Sequence, residues 1–390
     1  MGDGSTTAHR AIPSWTRTTG LVVLIAASVS LLTGCTADAT PQPSVVSEAS
    51  HYALALDTDY RLVTIHADGA LTTPVIDDEP IAGDGARVAP LDGGRLAVLA
   101  GDALIVLSDG EVSLSATCAG CHGLTATEAG LVTAQQSFTP GIDFDLVTFD
   151  EGLAEVGRVN ASFVRSRFEP SLMPKMRFPT VEASVDGLVL VSAISARGGE
   201  AGNGRLYGPW SLGFYEQDGT LTRDTEILGH NGVGPVDVSS DGRFSAVQQG
   251  TTWGACYHGE DVVIVDNRAG EIVDTDPVTT GAEDEQMVVT AGWWDGGRYV
   301  VDVTIEHDEG EQCEFKRTSL RGSIDAETGV TDTSPVTTHT WGAIGEGCDA
   351  VLSSPVGPLW ELTDAISLGS EPLKGIARIL HAPTGSDCDG

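Results

Sequence analysis

Short apolar segments separated by glycine-containing turns constrain the fold of this chain more than any other feature. One kind of turn precedes an apolar segment, as in SSDGRFSAV (Ser239–Val247). A second kind closes a more polar hairpin, as in LSDGEV (Leu107–Val112). The two kinds alternate from His51 onward, and no long stretch shows helical periodicity. Two hairpin turns per repeat predict four antiparallel strands per repeat.

The number of repeats predicts an all-β fold, a β-propeller of about seven four-stranded blades, with six or eight as the alternatives. Tyr52–Val75 is taken as the first repeat and Ile366–His381 as the outer hairpin of the last. A pair of β-sandwiches is the competing fold, but it requires an interdomain linker that the sequence does not contain. Because an open ring leaves two sheet edges free, we expect the residues after Ser50 to complete the blade that contains Leu373–Ala382. The turns that support the count lie in Leu91–Ala100, Thr127–Gln135, Ser184–Ala193, Ser239–Val247, Trp294–Val303 and Ser354–Leu362 for the first kind, and in His66–Leu71, Leu107–Val112, Phe149–Val156, Glu216–Leu221, Asp266–Val273 and Asp325–Thr331 for the second.

Two of these segments also carry a resemblance. VSSDGRFSAV (Val238–Val247) and IVDNRAGEIVD (Ile264–Asp274) resemble the blade strands of bacterial propellers that lack the Trp-Asp repeat signature. The resemblance implies the same fold as the turn pattern does.

The charge of the chain argues against one class of partner. Its formal net charge is −35, and only three of its 21 basic residues are lysines. A nucleic acid or an anionic membrane surface would meet strong repulsion. We therefore expect no nucleic-acid partner and a monomeric, well solvated body.

The first 34 residues have the pattern of a targeting segment rather than of a folded domain. Arg10 and Arg17 precede an apolar run, LVVLIAASVSLL (Leu21–Leu32), which is too short to span a bilayer comfortably. The run ends in LTGC (Leu32–Cys35), which resembles the lipobox of bacterial lipoprotein signal peptides. An ordinary cleaved secretory peptide is the alternative.

The lipobox resemblance implies a membrane anchor at Cys35. In that family the matching cysteine is acylated on its thiol and becomes the mature N-terminus, and its acyl chains hold the protein stably on the membrane. The resemblance thus implies a signal peptide at 1–34, lipidated Cys35 with a Pro- and Ser-rich tether at 35–50, and the propeller at 51–390. The expected location is the extracytoplasmic face of the cell membrane, with membrane lipid as a partner through Cys35.

The segment TCAGCHG (Thr117–Gly123) has three interpretations. Cys118 and Cys121 fall between an outer strand and the next inner strand, where a short-loop disulfide forms if the Cα atoms lie within about 7 Å. The motif is similar to those of c-type cytochromes, which implies haem attached to Cys118 and Cys121 with His122 as axial ligand. The flanking residues alternate like strands, which favours the disulfide. A zinc site would need a second Cys/His pair, which the sequence lacks.

Six cysteines remain when Cys35 is set aside, and an even number in an exported protein indicates disulfides, with fifteen pairings open. Cys256 and Cys313 follow the Gly242 and Gly297 turns at similar distances, so we expect them to pair. Cys348 and Cys388 would form the third pair.

Other chemical signals are weak. The acidic clusters Asp57–Asp59, Asp77–Glu79 and Glu283–Glu285 are candidates for Ca²⁺, although each is typical of a solvated turn. Arg165–Phe178 concentrates basic residues and suits either an ordered connection or a docking surface for an acidic partner or lipid headgroups. Hydrolase, nucleotide-binding and zincin motifs are absent from the sequence. We expect no metal and no cofactor, with haem c or Ca²⁺ as the alternatives.

The sequence therefore favours a membrane-anchored extracytoplasmic lipoprotein whose propeller is a scaffold for an unidentified protein or small-molecule ligand. The alternative is an enzyme, either a haem redox protein using Cys118, Cys121 and His122 or a cation-dependent hydrolase or lactonase. The two hypotheses differ at the central channel: an enzyme predicts carboxylates or histidines that converge at its mouth, and a scaffold does not.

Overall fold

A computed structural model describes residues 52–83, 85–136, 143–163, 177–194, 210–227, 233–253, 258–282, 285–308, 315–345, 349–358 and 361–383. These residues belong to one compact unit, Val46–Gly390. A second unit, Met1–Val45, lies outside the described residues, as does the predicted signal peptide.

Thirty β-strands form the regular structure of the described residues. The first half of the chain contains β1 (Tyr52–Asp57), β2 (Leu62–His66), β3 (Leu71–Thr72), β4 (Val75–Ile76), β5 (Glu79–Pro80), β6 (Arg87–Pro90), β7 (Leu96–Ala100), β8 (Ala103–Ser108), β9 (Glu111–Thr117), β10 (Cys121–Thr127), β11 (Gly130–Gln136), β12 (Asp143–Phe149), β13 (Glu155–Ser162), β14 (Arg177–Val185) and β15 (Leu188–Ile194). The second half contains β16 (Trp210–Tyr215), β17 (Leu221–Ile227), β18 (Val233–Val238), β19 (Phe244–Trp253), β20 (His258–Asp266), β21 (Glu271–Val273), β22 (Glu285–Asp295), β23 (Arg298–Asp308), β24 (Phe315–Asp325), β25 (Thr331–Pro335), β26 (Thr338–Ile344), β27 (Ala350–Pro355), β28 (Ser367–Leu368), β29 (Glu371–Pro372) and β30 (Ile376–His381).

The described strands group into seven four-stranded antiparallel sheets, which we number as blades in chain order. Blade 1 is β30-β1-β2-β3, and a small hairpin of β4 and β5 follows it. Single residue pairs join β10 to β14 and β20 to β22. The other blades are β6–β9 (blade 2), β10–β13 (blade 3), β14–β17 (blade 4), β18–β21 (blade 5), β22–β25 (blade 6) and β26–β29 (blade 7).

Contacts between successive first strands close the blades into a ring. The strands β30, β6, β10, β14, β18 and β22 contact one another in that order. Blade 7 completes the circle, since Trp293 of β22 packs against His339 of β26, and the amide of Ala343 in β26 donates to the carbonyl of Pro383 beyond β30 at 3.0 Å. The fold is a β-propeller, and the alternative of two β-sandwiches is wrong.

The first and last described strands pair in blade 1, as predicted. Strand β1 pairs antiparallel with β30, with Ala55 opposite Ile379. Ile376–His381 is therefore the first strand of blade 1, and the expectation that it belongs to the outer hairpin of the last repeat is wrong. The turn after Ser354 likewise follows the second strand of blade 7 instead of preceding it. The offset arises because the C-terminal strand pairs with β1 and leaves no open sheet edge.

Apolar side chains fill the spaces between blades. Blades 2 and 3, for example, enclose a cluster that contains Leu99, Leu104 and Phe149. The described residues form such a cluster between each pair of neighbouring blades except blades 6 and 7. A membrane-spanning helix is absent from the described ranges.

The junction between blades 6 and 7 is polar and aromatic instead. Asp302 of β23, which is fully buried, accepts hydrogen bonds of 2.7 and 2.8 Å from Arg321 and lies 2.8 Å from Nδ1 of His339. The Arg321 guanidinium stacks on Trp293, and His339 packs edge-on against Trp341. This network takes the place of an apolar interface, because every buried charge in it has a partner.

Candidate binding site in the central channel

A cavity of about 520 Å³ lies where the first strands of blades 2, 3, 4 and 5 approach one another. Its walls come from β6, β10, β14 and β18, so that it occupies one side of the channel. Most of the lining side chains are small or apolar, and three are carboxylates: Glu182 and Asp237 on the strands, and Asp186 in the exposed turn after β14. Its size is that of a small-molecule site.

Glu182 and Asp237 hold equivalent positions in neighbouring blades. Glu182 precedes the Asp186–Gly187 turn by the same interval at which Asp237 precedes the Asp241–Gly242 turn. The corresponding positions of blades 2 and 3 carry Val88 and Leu124, which line the same cavity. Residues at the same position of four successive repeats therefore line one cavity.

Glu182 is the extra residue of a β-bulge. Val181 pairs with Val191 and Ala183 pairs with Leu190, so Glu182 has no partner residue on β15. Bulges redirect a side chain from the regular alternation of a strand, and they are common beside functional sites. The fully buried hydroxyl of Ser192 donates to one carboxylate oxygen of Glu182 at 2.5 Å.

Asp237 is held in a similar way by a buried tyrosine. The phenol of Tyr299, in β23 of blade 6, donates to Asp237 Oδ2 at 2.7 Å. Gly292 makes room for that phenol, since a Cβ there would lie 2.0 Å from the Tyr299 oxygen. Each carboxylate therefore has one oxygen oriented by a buried hydroxyl, and both side chains remain partly accessible, as expected for groups that line a cavity.

Burial shifts the titration of both carboxylates. It raises the pKa of Glu182, although the positive charge of Arg87 opposes the shift and the negative charge of Asp237 adds to it. It also raises the pKa of Asp237, with the Tyr299 hydrogen bond acting in the opposite direction. The two groups thus retain protons to higher pH than ordinary carboxylates do, and they are suited to exchange a proton for a bound cation.

A second cavity, of about 310 Å³, adjoins the other ends of β6, β10 and β14. Arg87, Asp102 and His122 line it. Burial lowers the pKa of His122, partly offset by the charge of Asp102. The approach of β10 to β14 at this point requires Gly123, which has a φ of +73° and whose Cβ would lie 2.0 Å from the carbonyl oxygen of Val181.

The structure places the CAGCH segment at this second cavity. Cys118 and Cys121 form a disulfide with a Cα–Cα distance of 5.6 Å in the turn between β9 and β10. Both are buried in the apolar cluster between blades 2 and 3. The segment does not fit a haem attachment site, since the two sulfurs are bonded to each other and a strand, not a helix, begins at Cys121.

Several predicted features lie outside the described residues. They include Cys35, the tether, four cysteines and most of the basic segment; Arg177 and Phe178, at its end, begin β14. The predicted pairings of Cys256 with Cys313 and of Cys348 with Cys388 therefore stay predictions. The residues concerned are Cys35, Thr36–Ser50, Cys256, Cys313, Cys348, Cys388 and 165–176.

Two of the acidic clusters are turns, and of Glu283–Glu285 only Glu285 is described, at the start of β22. Asp57 Oδ1 accepts the amides of Asp59 and Arg61 at 2.9 and 2.8 Å, which is the hydrogen bonding of a turn. Asp77 and Asp78 have positive φ angles in an exposed hairpin. Within the described ranges, no group of three or more His, Cys, Asp or Glu side chains is arranged to hold a metal ion.

The fold and the cavity define a propeller with two oriented carboxylates in its channel. No protein-family model and no curated protein matches the chain. Among solved structures, it is similar to hydrazine synthase of Kuenenia stuttgartiensis, with 14% identity, 77% of this chain and 98% of that chain covered, and a TM-score of 0.43. It is also similar to a functionally unknown protein from Desulfotomaculum acetoxidans, with 12% identity, 85% of this chain and 100% of that chain covered, and a TM-score of 0.40. A third similar structure is cobalt-substituted Synechocystis apocarotenoid oxygenase, with 11% identity, 73% of this chain and 72% of that chain covered, and a TM-score of 0.42. With TM-scores below 0.5, these likenesses carry no argument about function.

Proposed function

We propose that this protein is a lipoprotein, anchored through Cys35 to the extracytoplasmic face of the cell membrane, whose propeller binds a small polar ligand in the channel. The LTGC segment supports the anchor. One observation supports the binding site: Glu182 and Asp237, from neighbouring blades, line one cavity and are oriented by the buried hydroxyls of Ser192 and Tyr299.

The orientation of these carboxylates favours a site over a purely structural contact. A structural carboxylate in a protein interior is normally neutralised by a basic partner. Glu182 and Asp237 have hydroxyl partners instead, and neither forms an ion pair among the described residues. A carboxylate without a basic partner lowers the stability of the folded protein. Proteins retain such carboxylates mainly at binding and catalytic sites, where a ligand supplies the missing partner.

A cation-dependent hydrolase or lactonase is the second candidate. The same convergence of carboxylates at the channel is the feature that an enzyme predicts, and the raised pKa values suit general acid or base catalysis. This convergence favours an enzyme over a scaffold that lacks a channel site. A binding protein with this cavity and an enzyme differ in whether the bound compound is altered.

Blocking the cavity tests the proposal. Ser184 lines it and is partly buried, so Ser184→Trp should fill it, whereas Ser334→Trp adds the same ring on the exposed strand β25. The full-length protein in detergent is screened by thermal shift and native mass spectrometry against cationic, neutral and anionic metabolites. We expect at least one compound to bind wild type and Ser334→Trp but not Ser184→Trp. If no compound binds, or if binding survives in Ser184→Trp, the channel site is wrong; conversion of the bound compound would identify the enzyme.

A further inference from the structure

We propose that the channel cavity selects a small organic cation, a compound with a primary ammonium group that lies between Glu182 and Asp237. This inference rests on the proposed binding function and names its ligand class. The cavity is large enough for a compound of metabolite size, and its two oriented side chains are both acceptors when ionised.

The geometry explains why an ammonium group suits this site. One oxygen of Glu182 is occupied by Ser192, and one oxygen of Asp237 is occupied by Tyr299. The structure gives the remaining oxygen of each carboxylate no hydrogen-bond partner among the described residues. An ammonium group has three donors, so it can bond to both free oxygens and to one further acceptor of the wall.

The buried hydroxyls make this arrangement a built site. Ser192 lies on β15, the second strand of blade 4, and Tyr299 lies on β23, the second strand of blade 6, and both are fully buried. The β-bulge at Glu182 and the absence of a side chain at Gly292 are needed for these two hydrogen bonds. In both cases a carboxylate on the first strand of a blade accepts a hydrogen bond from a buried hydroxyl on the second strand of the same or the next blade.

An organic cation fits better than a metal ion. Ca²⁺ takes six to eight oxygen ligands and Mg²⁺ six, whereas Zn²⁺ prefers His and Cys ligands, and neither His nor Cys lines this cavity. This cavity contributes two half-buried carboxylates, Glu182 and Asp237, and Asp186 stands in the exposed turn at its rim. The remaining wall combines Val, Leu, Ala and Pro residues with Thr and Ser residues, so it offers polar groups as well as apolar contacts to an organic body.

The proposal predicts a pH dependence of binding. The charged groups that act on the site are Glu182, Asp237, Tyr299, Arg87 and the exposed Asp186. An ammonium ion requires the carboxylates in their ionised form, so affinity should increase as the pH rises through their raised pKa values. Protons should be released on binding.

The test measures the affinity of the full-length protein in detergent for putrescine, spermidine and glucosamine by calorimetry at pH 5 to 8. Matched uncharged probes are 1,4-butanediol and glucose. We expect at least one amine to bind, with its uncharged analogue bound about tenfold or more weaker. Glu182→Gln and Asp237→Asn should each weaken the amine about tenfold or more, and Glu271→Gln, an exposed change in blade 5, should not.

Ser192→Ala provides a readout for the positioning role. It leaves both charges in place, so it should weaken the amine less than Glu182→Gln does, and Ser192→Thr should restore part of the affinity. If a neutral or anionic compound binds in the cavity and is unaffected by Glu182→Gln, the cation inference fails and the channel site stands. Binding of Ca²⁺ alone, lost in both carboxylate variants, overturns the inference in favour of a metal. If none of these probes binds, the cation inference fails, and the wider metabolite screen decides the proposed binding function separately.

Discussion

The phenol of Tyr299 in blade 6 donates a 2.7 Å hydrogen bond to Oδ2 of Asp237 in blade 5, so that a buried side chain of one blade orients a carboxylate of the next. Ser192 does the same for Glu182 within blade 4. These two hydrogen bonds distinguish the channel carboxylates from the solvated acidic residues of this chain. Their effects on stability and on its pH dependence can be measured.

The channel carboxylates should lower the stability of the protein at neutral pH. Their pKa values are raised above the ordinary 4.5 of Glu and 3.8 of Asp, so the folded state holds more protons than the unfolded state and stability falls as the pH rises through that window. Glu182→Gln and Asp237→Asn should each raise the free energy of unfolding at pH 7 by about 1 kcal/mol. Urea denaturation at pH 4 and pH 7 measures this; a loss of stability in both variants at pH 7 would show that the carboxylates are structural.

The junction of blades 6 and 7 should respond to pH in the opposite direction. Although burial raises the pKa of Asp302, its bonds to Arg321 and His339 outweigh burial and lower it below 3.8. Its contribution is therefore present above that value and is lost as the pH falls through the lowered pKa.

Asp302→Ala should cost about 3 kcal/mol or more, because it leaves Arg321 and His339 without their buried partner. Asp332→Ala is the matched control, since it removes an exposed partner of Arg298 and should cost less than about 1 kcal/mol. Equal losses in the two variants, measured by urea denaturation at pH 7, would contradict a special role for this junction.

Ring closure requires β1. Deletion of His51–Ile65 removes β1, which pairs with β30, together with most of β2, and exposes a sheet edge in blade 1, so the domain should unfold or aggregate. Deletion of Thr36–Val45 leaves every described strand intact and should preserve the fold. Circular dichroism and size-exclusion chromatography distinguish the two; a well-folded monomer without β1 would argue against closure through this pair.

The protein should be colourless when it is exported in a host competent for cytochrome c maturation. Because Cys118 and Cys121 are joined to each other, neither thiol is free for haem attachment. The Cys118→Ser, Cys121→Ser double variant should lose about 2 kcal/mol, the chain-entropy value for so short a loop. A haem-stained band that is present in wild type and absent from the double variant would restore the cytochrome interpretation.

Cys35 should be the residue that holds the protein on the membrane. Cys35→Ala, secreted through a conventional signal peptide, should appear in the soluble fraction with its propeller folded, because an acidic body is repelled by anionic lipids. Fractionation after a high-salt wash provides the measurement. Sedimentation of this variant with membranes would mean that the anchor lies elsewhere.

The architecture could be predicted from local sequence. Each Asp-Gly or similar turn favours the positive φ angles that a tight hairpin needs, and the apolar strands between the turns are short and regularly spaced. The alternation of two turn kinds therefore predicted four-stranded blades, and the cost of an open edge predicted the pairing of β1 with β30. The disulfide of Cys118 with Cys121 could also be predicted, because the two cysteines are only three residues apart.

Only the tertiary structure decided which residues form the candidate site. Glu182 and Asp237 look like ordinary acids of two strands, although alignment of the repeats on their turns would have placed them at one level. Their oriented oxygens depend on a bulge in β14, on Ser192 and on Tyr299 of a third blade, and no local pattern encodes such distant contacts. The polar junction around Asp302 has the same origin: strand periodicity sets which side chains point inward, while ring closure sets which of them meet.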